Sequence, residues 1–199
     1  VKFYALTLRN RSGRRRRLSA TGYVEWVLGD LRAKSSMHVV TETDPETGAL
    51  LARNSFNTDF SGHVAWFDTS APTRTMTGDR KEFIGRNGTL RHPQALRRSR
   101  LSGRTGAGLD PCAAIQVPAT LEDGQDVRIL FHLGASSQGV EHVRHLVRRY
   151  GELGAAGSEL QAVRRYWRDT LGVVRIDTPD PAVNTLANGW LLYQTLACR

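Results

Sequence analysis

The sequence predicts a mainly β fold that closes in helices: an antiparallel β-sandwich over residues 1–134, then helices to the end of the chain. Three observations carry this reading. Apolar residues alternate with period two in short runs through the first two thirds, and clusters of turn formers separate the runs. After Gly134 the apolar period changes to 3.6.

Phe3, Ala5 and Thr7 alternate with Tyr4, Leu6 and Leu8, so a strand is under way at the first residues. Further strand-like runs occupy 19–28, 37–43, 49–53 and 63–67, with Asp44-Pro45-Glu46-Thr47-Gly48 as a turn between two of them. The strongest local signal comes later. Ile115, Val117, Ala119 and Leu121 alternate, Glu122-Asp123-Gly124-Gln125 makes a turn, and Val127, Ile129, Phe131 and Leu133 alternate again. That pattern predicts a β-hairpin with one buried face.

Val140, Val143, Leu146, Val147 and Tyr150 form one helical stripe, and Leu160, Val163, Trp167 and Leu171 form another after a Gly/Ala-rich break at 151–157. A brief strand-like stretch at 173–177 precedes Pro179-Asp180-Pro181. Asp180 is the expected N-cap of a third helix and Pro181 its first residue. That helix carries Val183, Leu186, Ala187, Trp190, Leu191 and Gln194, and no stop signal follows it. With no initiator Met at the other end, the expectation is a fragment of a longer protein. No period of 20–50 residues recurs, which excludes repeat architectures.

At 199 residues, 40% hydrophobic and 24% charged, the chain can bury one sizeable core. Its formal charge of +9 raises nucleic acid or an anionic membrane as partners. Only three of the 28 basic residues are lysines (Lys2, Lys34, Lys81), however, an arginine bias that high-GC coding alone produces. Cys112 and Cys198 stand far apart without a zinc or disulfide framework, which fits a reducing compartment. No run approaches the roughly 18 apolar residues of a membrane span, and no secretory signal opens the chain.

Each motif that suggests chemistry also has a plainer reading. The four arginines at 14–17 suit phosphates, but no aromatic residues interleave with them, which favours a solvated loop turned by Gly13. Gly103, Gly106 and Gly108 lack the following GK[ST] and the helix that a phosphate loop needs; a wide connection passing close to other elements fits better. His142 and His145 lie three apart on a helix with no third ligand at metal spacing, so no metal site is predicted. Asn87-Gly88-Thr89 matches a glycosylation sequon without a secretory context. Asp177 and Asp180 resemble an acid/base pair only until Asp180 is read as a cap. No catalytic constellation is predicted within the chain.

Five ordered stretches carry a resemblance: Tyr23-Val-Glu-Trp-Val-Leu-Gly29, Asp44-Pro-Glu-Thr-Gly-Ala-Leu-Leu-Ala-Arg-Asn54, Asp79-Arg-Lys-Glu-Phe-Ile-Gly-Arg-Asn-Gly88, Gly103-Arg-Thr-Gly-Ala-Gly-Leu-Asp-Pro-Cys112 and Trp190-Leu-Leu-Tyr-Gln-Thr-Leu-Ala-Cys-Arg199. Together they resemble the inverting disaccharide phosphorylases that act on cellobiose and chitobiose, and the phosphorylase-like region of cyclic β-1,2-glucan synthases. The resemblance implies a truncated supersandwich over 1–134, a helical linker over 135–178, and over 179–199 the first helix of an (α/α)6 barrel.

It also implies phosphorolysis of a β-glucosidic bond with inversion. One carboxylic acid protonates the leaving oxygen while inorganic phosphate attacks the anomeric carbon, so no second carboxylate is needed as base. The family's acid is expected beyond Arg199, and no residue of this chain is assigned that role. The turn at Phe83-Ile84-Gly85-Arg86 resembles a segment placed near the barrel mouth, which makes Arg86 the candidate substrate-binding residue; a bracing role at the domain interface is the alternative. The implied partners are a glucan or oligosaccharide and the rest of the same polypeptide, with no cofactor, inorganic phosphate as co-substrate, no nucleic acid, and a homodimeric parent. The implied setting is the bacterial cytoplasm, with the parent attached to the inner membrane through other regions. The competing class is a non-catalytic carbohydrate-binding or structural β-sandwich.

Overall fold

The computed structural model describes residues 1–198, which divide into two compact units, Val1–Leu153 and the residues from Gly154 onward. The first contains two antiparallel sheets. The larger has the strand order β1(Lys2–Arg9), β8(Asp126–Ser136), β5(Val64–Thr69), β4(Leu50–Arg53), β3(Val40–Thr43); the smaller has β2(Arg16–Glu25), β7(Pro111–Leu121), β6(Thr75–Asp79). The predicted mainly β sandwich with C-terminal helices is therefore the observed class.

Three layers of packing explain which strands are buried. Ala20 of β2 and Ile115 and Val117 of β7 face Leu50, Ala52, Phe67, Ile129 and Phe131 across the gap between the sheets, with Trp26 and Val39 closing the same core. On the outer face of the large sheet, Leu51, Val64 and Trp66 pack against Val143 and Val147 of a helix, α3(Gly139–Tyr150). On the outer face of the small sheet, Ala114 meets Phe83, Ile84, Ala95 and Leu101. Strand β5 is consequently buried at every residue, as a central strand covered on both faces must be. Gly134 is required by this packing, because a Cβ there would lie 2.2 Å from the Trp66 indole.

The strongest sequence signal misled in one respect. Strands β7 and β8 lie in different sheets, so 122–125 is an arch between sheets and not a hairpin turn. The same alternation serves both geometries: Ile115 and Val117 enter the core from one side, Ile129 and Phe131 from the other. Residues 10–15 form a second arch between β1 and β2, beside the first. Buried Asn10 pins the two together: its N–H donates to Gln125 O (2.9 Å), its carbonyl accepts from Gly124 N (2.8 Å), and its Nδ2 donates to Leu121 O (3.0 Å) and Arg14 O (2.7 Å). The arginine run is thus an arch and the start of β2, where Arg15 ion-pairs with Glu122 at 3.2 Å. The run expected at 37–43 begins with a 3₁₀ turn, Ser36–His38, and is extended only from Val40.

The predicted pair of helices stands, with α3 in the first unit and α4(Leu153–Leu171) in the second from Gly154 onward, but the break between them is limited to Gly151 and Glu152. Gly154 and Gly157 lie inside α4. Residues 173–177 are not a strand. Two asparagines hold that stretch instead: Asn188 exchanges bonds with both backbone groups of Ile176 (2.7 and 2.7 Å), and Asn184 does the same with Thr178 (2.8 and 2.8 Å). These side-chain amides, four residues apart on one helical face, replace the ladder partner that an isolated extended segment lacks. Asp180 caps as expected, accepting from Ala182 N at 2.8 Å, with Pro181 opening α5(Pro181–Thr185). A π-helical turn, Leu186–Trp190, then leads into α6(Leu191–Ala197).

Candidate functional site

A polar concave surface lies on the outer face of the small sheet, around α2(Arg80–Ile84). The start of α2 is set by Asp79, which accepts from Lys81 N at 3.0 Å, and Glu82 ties the helix to its neighbours by accepting from Thr77 Oγ1 (2.6 Å) and from Ser102 N (3.0 Å). Phe83 and Ile84 hold the helix to the sheet, Phe83 stacked on Tyr23 with ring centroids 4.7 Å apart. Gly85 ends it at φ 93°, where a Cβ would lie 2.7 Å from Gln94 Oε1. Only glycine makes that turn cheaply, and the turn delivers Arg86 to the surface.

Two clefts flank α2. One, of about 300 Å³, is lined by Ile84, Gly85, Arg86, Asn87, Gly88, His92, Gln94 and Arg97. It contains no carboxylate. Arg86 is exposed there, and among the described residues no acidic group pairs with it. The other, of about 390 Å³, is lined by charges of both signs: Asp79, Glu82 and Asp110 with Lys81, Arg98 and Arg104. Arg104 ion-pairs with Asp79 at 3.1 Å and Arg98 approaches Glu82 to 3.7 Å. Behind them Glu25, Arg32, Arg80 and Asp110 close a ring of ion pairs, with Arg80 2.8 Å and Arg32 3.2 Å from Glu25.

Electrostatics separates binding from proton transfer. Burial alone would raise the Glu25 carboxyl, but hydrogen bonds from Tyr23 and Arg80 and the charges of Arg80 and Arg32 hold it below the usual carboxylate range. Burial likewise opposes ionisation of Glu82, and its bonds from Ser102 and Thr77 outweigh it. A general acid needs the opposite, a carboxyl raised toward neutral pH. Asp68 is the described carboxyl raised most clearly, to about 6, chiefly by burial. It lies sealed on the α3 side of the large sheet beside Arg74 (3.0 Å) and His132. Glu25 and Glu82 are thus held as carboxylates that accept hydrogen bonds, beside arginines that donate them.

The remaining motifs take structural places. The glycine-rich stretch does run close to its neighbours: Gly103 N donates to Met76 O (2.8 Å), Gly78 N to Arg104 O (2.7 Å), and Gly106 bridges to Thr41. His142 lies 2.7 Å from Ser136 Oγ, and among the described residues no group of three metal-ligating side chains converges. Reading the sequence missed the ion-pair ring and the cleft partners His92, Gln94 and Arg97. The D-x-x-E spacing of Asp79 and Glu82 was the available signal for α2; the ring joins residues up to 78 positions apart, and no local pattern announces it.

Residues 1–153 match the family model described as glycosyl hydrolase 94, supersandwich domain. The whole chain is 37% identical over 200 residues to the cyclic β-(1,2)-glucan synthase NdvB of Rhizobium meliloti (strain 1021), of which it covers 7%. It is 23% identical over 202 residues to the N,N'-diacetylchitobiose phosphorylase of Vibrio furnissii, and 26% over 206 to the solabiose phosphorylase of Paenibacillus borealis, covering 25% and 26% of these. The chain thus spans between 7% and 26% of the length of these relatives. Among the described residues no helix is long and apolar enough to cross a membrane. By its sandwich, its motifs and this match, the chain belongs to the glycosyl hydrolase 94 supersandwich family, a family of carbohydrate-active enzymes.

Proposed function

We propose that this chain is the sandwich portion of an inverting glycoside phosphorylase or of the phosphorylase-like region of a β-1,2-glucan synthase, and that Arg86 contacts the sugar. The carrying observation is the cleft whose lining has no carboxylate and which presents Arg86 with no acidic partner among the described residues, in a chain whose relatives include a β-(1,2)-glucan synthase and several phosphorylases. A guanidinium fork donates two parallel bonds to adjacent hydroxyls, and a neighbouring carboxylate would compete for it. Asn87, Gln94 and His92 add donors and acceptors around the same space.

In this reading, residues 1–134 are sandwich, 135–178 linker, and 179–199 the opening of an (α/α)6 barrel; α3 is the part of the linker seated on the sheet. The barrel supplies the general acid, and inorganic phosphate is the co-substrate, with no other cofactor. Phosphate oxygen attacks the anomeric carbon from the face opposite the scissile bond. The acid's proton goes to the departing glycosidic oxygen, and the products are α-glucose 1-phosphate and a glucan shortened by one unit. The parent is read as a cytoplasmic bacterial homodimer, held at the inner membrane by other regions, with no role in nucleic-acid binding.

The test is phosphate-dependent release of α-glucose 1-phosphate from β-1,2-glucan. The intact parent turns over and residues 1–199 alone do not; turnover by this chain alone, or β-glucose 1-phosphate from the parent, overturns the reading. Arg86→Ala in the parent raises KM for the glucan, by roughly 10–100-fold if the lost bonds are charge-assisted. An unchanged KM assigns Arg86 to bracing the domain interface.

A further inference from the structure

Away from α2, at the end of the sandwich where β5 begins and β8 ends, a cavity of about 160 Å³ opens between the sheets. Leu28, Gly29, Asn54, Phe60, His63, Ala65 and Ala135 line it. Ala65 and Ala135 pair directly across β5 and β8, and their small side chains leave the space unfilled.

Four features show that the mouth is constructed. Leu28 has φ 41°, and among the described residues it is the non-glycine residue with positive φ. A branched side chain in that region is costly and persists only where its surroundings enforce it. Here buried Asn54 does so, its Nδ2 donating to Leu28 O at 2.8 Å. The following loop is held by its own asparagines: Asn54 Oδ1 accepts from Phe56 N (3.2 Å), and Asn57 Oδ1 from Asp59 N (3.0 Å) and Phe60 N (2.9 Å). That fixed loop presents Phe56 and Phe60 at 72% and 57% exposure. The half-buried His63 ring meets Phe60 edge-on, 5.1 Å between centroids, and its nitrogens have no hydrogen-bond partner among the described residues.

We propose that this mouth is a second, non-catalytic carbohydrate site that holds one glucose unit of a glucan chain, with Phe60 as its stacking platform and His63 as its hydrogen-bonding group. The C–H face of a β-glucose ring is apolar and weakly positive, and it meets the negative face of an aromatic ring favourably. A volume well under that of a drug-sized pocket suits a single small ring. Polar atoms at the rim of an apolar floor suit a molecule that is apolar on its faces and hydroxylated at its edge. The choice of sugar rests on the functional reading above, while the site shares no lining residue with the Arg86 cleft. In the parent it would retain the polymer between turnovers.

The test is isothermal titration of the 199-residue chain with short linear β-1,2-gluco-oligosaccharides. Phe60→Ala, which removes an exposed ring and spares the fold, weakens binding about tenfold. Ala135→Leu, which fills the cavity, does the same, and Tyr166→Ala, an exposed aromatic on α4, changes nothing. Absence of binding to the wild-type chain, or binding that survives Phe60→Ala and is lost in Arg86→Ala, overturns the proposal and leaves the phosphorolytic reading intact. Failure of phosphorolysis by the parent, with Phe60-dependent binding retained, does the reverse. A concentration-dependent dimer abolished by Phe60→Ala would assign the patch to a second copy of the chain and also overturn the proposal.

Discussion

The four tryptophans divide the molecule. Trp26 and Trp66 are buried in residues 1–153, Trp66 completely, whereas Trp167 is half-buried and Trp190 is 56% exposed in the C-terminal helices. No described residue from 154 onward is fully buried. The same side chain therefore does different work in the two units. In the sandwich, apolar residues meet other apolar residues from the opposite sheet or from α3. In the helices, Val183, Leu186, Trp190, Leu191 and Leu196 are patterned for a core that these residues do not themselves supply. Amphipathic periodicity reports that a helix expects a partner, and it does not report whether that partner lies in the same unit.

The largest expected effect tests this contrast directly. Trp66→Ala removes a fully buried indole between α3 and the sheet and costs about 3–5 kcal/mol. Trp190→Ala, in the isolated chain, costs under about 0.5 kcal/mol. Urea denaturation followed by near-ultraviolet circular dichroism reads both. Equal costs would mean that Trp190 is buried against something and would dissolve the contrast.

A second test concerns buried polarity, which the sandwich has and the helices lack. Trp66 Nε1 donates to His132 Nδ1 at 3.1 Å, and the other ring nitrogen of His132 lies 3.8 Å from Asp68. Burial, reinforced by Arg74, pushes the His132 ring down to about 4 from 6.5, and burial pushes Asp68 up to about 6 from 3.8. Between about pH 4 and 6.5 the unfolded chain binds the histidine proton that the folded chain refuses, so this group makes stability fall on acidification. Between about pH 3.8 and 6 the folded chain holds the Asp68 proton that the unfolded chain releases, so this group makes stability rise on acidification. The two slopes nearly cancel: at pH 5 each state carries one proton on the pair. Asp68→Asn exposes the histidine slope and loses roughly 3 kcal/mol relative to wild type between pH 7 and pH 4. His132→Gln gains relative to wild type over the same interval. Parallel pH profiles for both variants would show that neither group is shifted as described.

How much of this was legible follows from the range of each interaction. The sandwich, α3 and the Asp180 cap rest on spacings within about a dozen residues, and alternation, a change of period and a D-P opening reveal them. The arch at 122–125 was read as a hairpin because alternation encodes which face is apolar and says nothing about which sheet receives the strand. Residues 173–177 were read as a strand because β-branched residues cluster there; the Asn184 and Asn188 bonds that hold them show up only when the helix is folded. Of the candidate site, Arg86 and its turn were read from motif resemblance. The positive φ at Leu28, the small Ala65–Ala135 pair and the ion-pair ring depend on long-range closure, and nothing local announces them.

Within the helices the caps carry what the absent core does not. Asp180→Ala removes the bond to Ala182 N and costs about 1 kcal/mol of local helix stability. A segment as short as 181–197 is marginal alone, so the loss should register as reduced far-ultraviolet helicity of the chain with no change in the sandwich's denaturation midpoint. A shifted midpoint would mean that the two units unfold as one.

The smallest expected effect on the sandwich is also the most discriminating. Deleting residues 181–199 removes no member of the three buried clusters that stabilise 1–153. The denaturation midpoint of the sandwich should therefore stay within about 0.5 kcal/mol of its original stability. Solubility should rise, because an exposed apolar stripe promotes association, each uncovered Leu or Val forgoing roughly 1.5–3 kcal/mol of burial. Two outcomes break this reading in different places. If the truncated chain unfolds, the last helix belongs to the sandwich's core and the division of the molecule is wrong. If it stays folded but associates as strongly as before, the adhesive surface lies in the first unit, where Tyr4 and Leu6 of edge strand β1 are 42% and 37% exposed beside a cleft of about 310 Å³. An edge strand with unpaired backbone groups next to an open apolar seam is the other place where this chain can recruit a partner, and the deletion decides between the two.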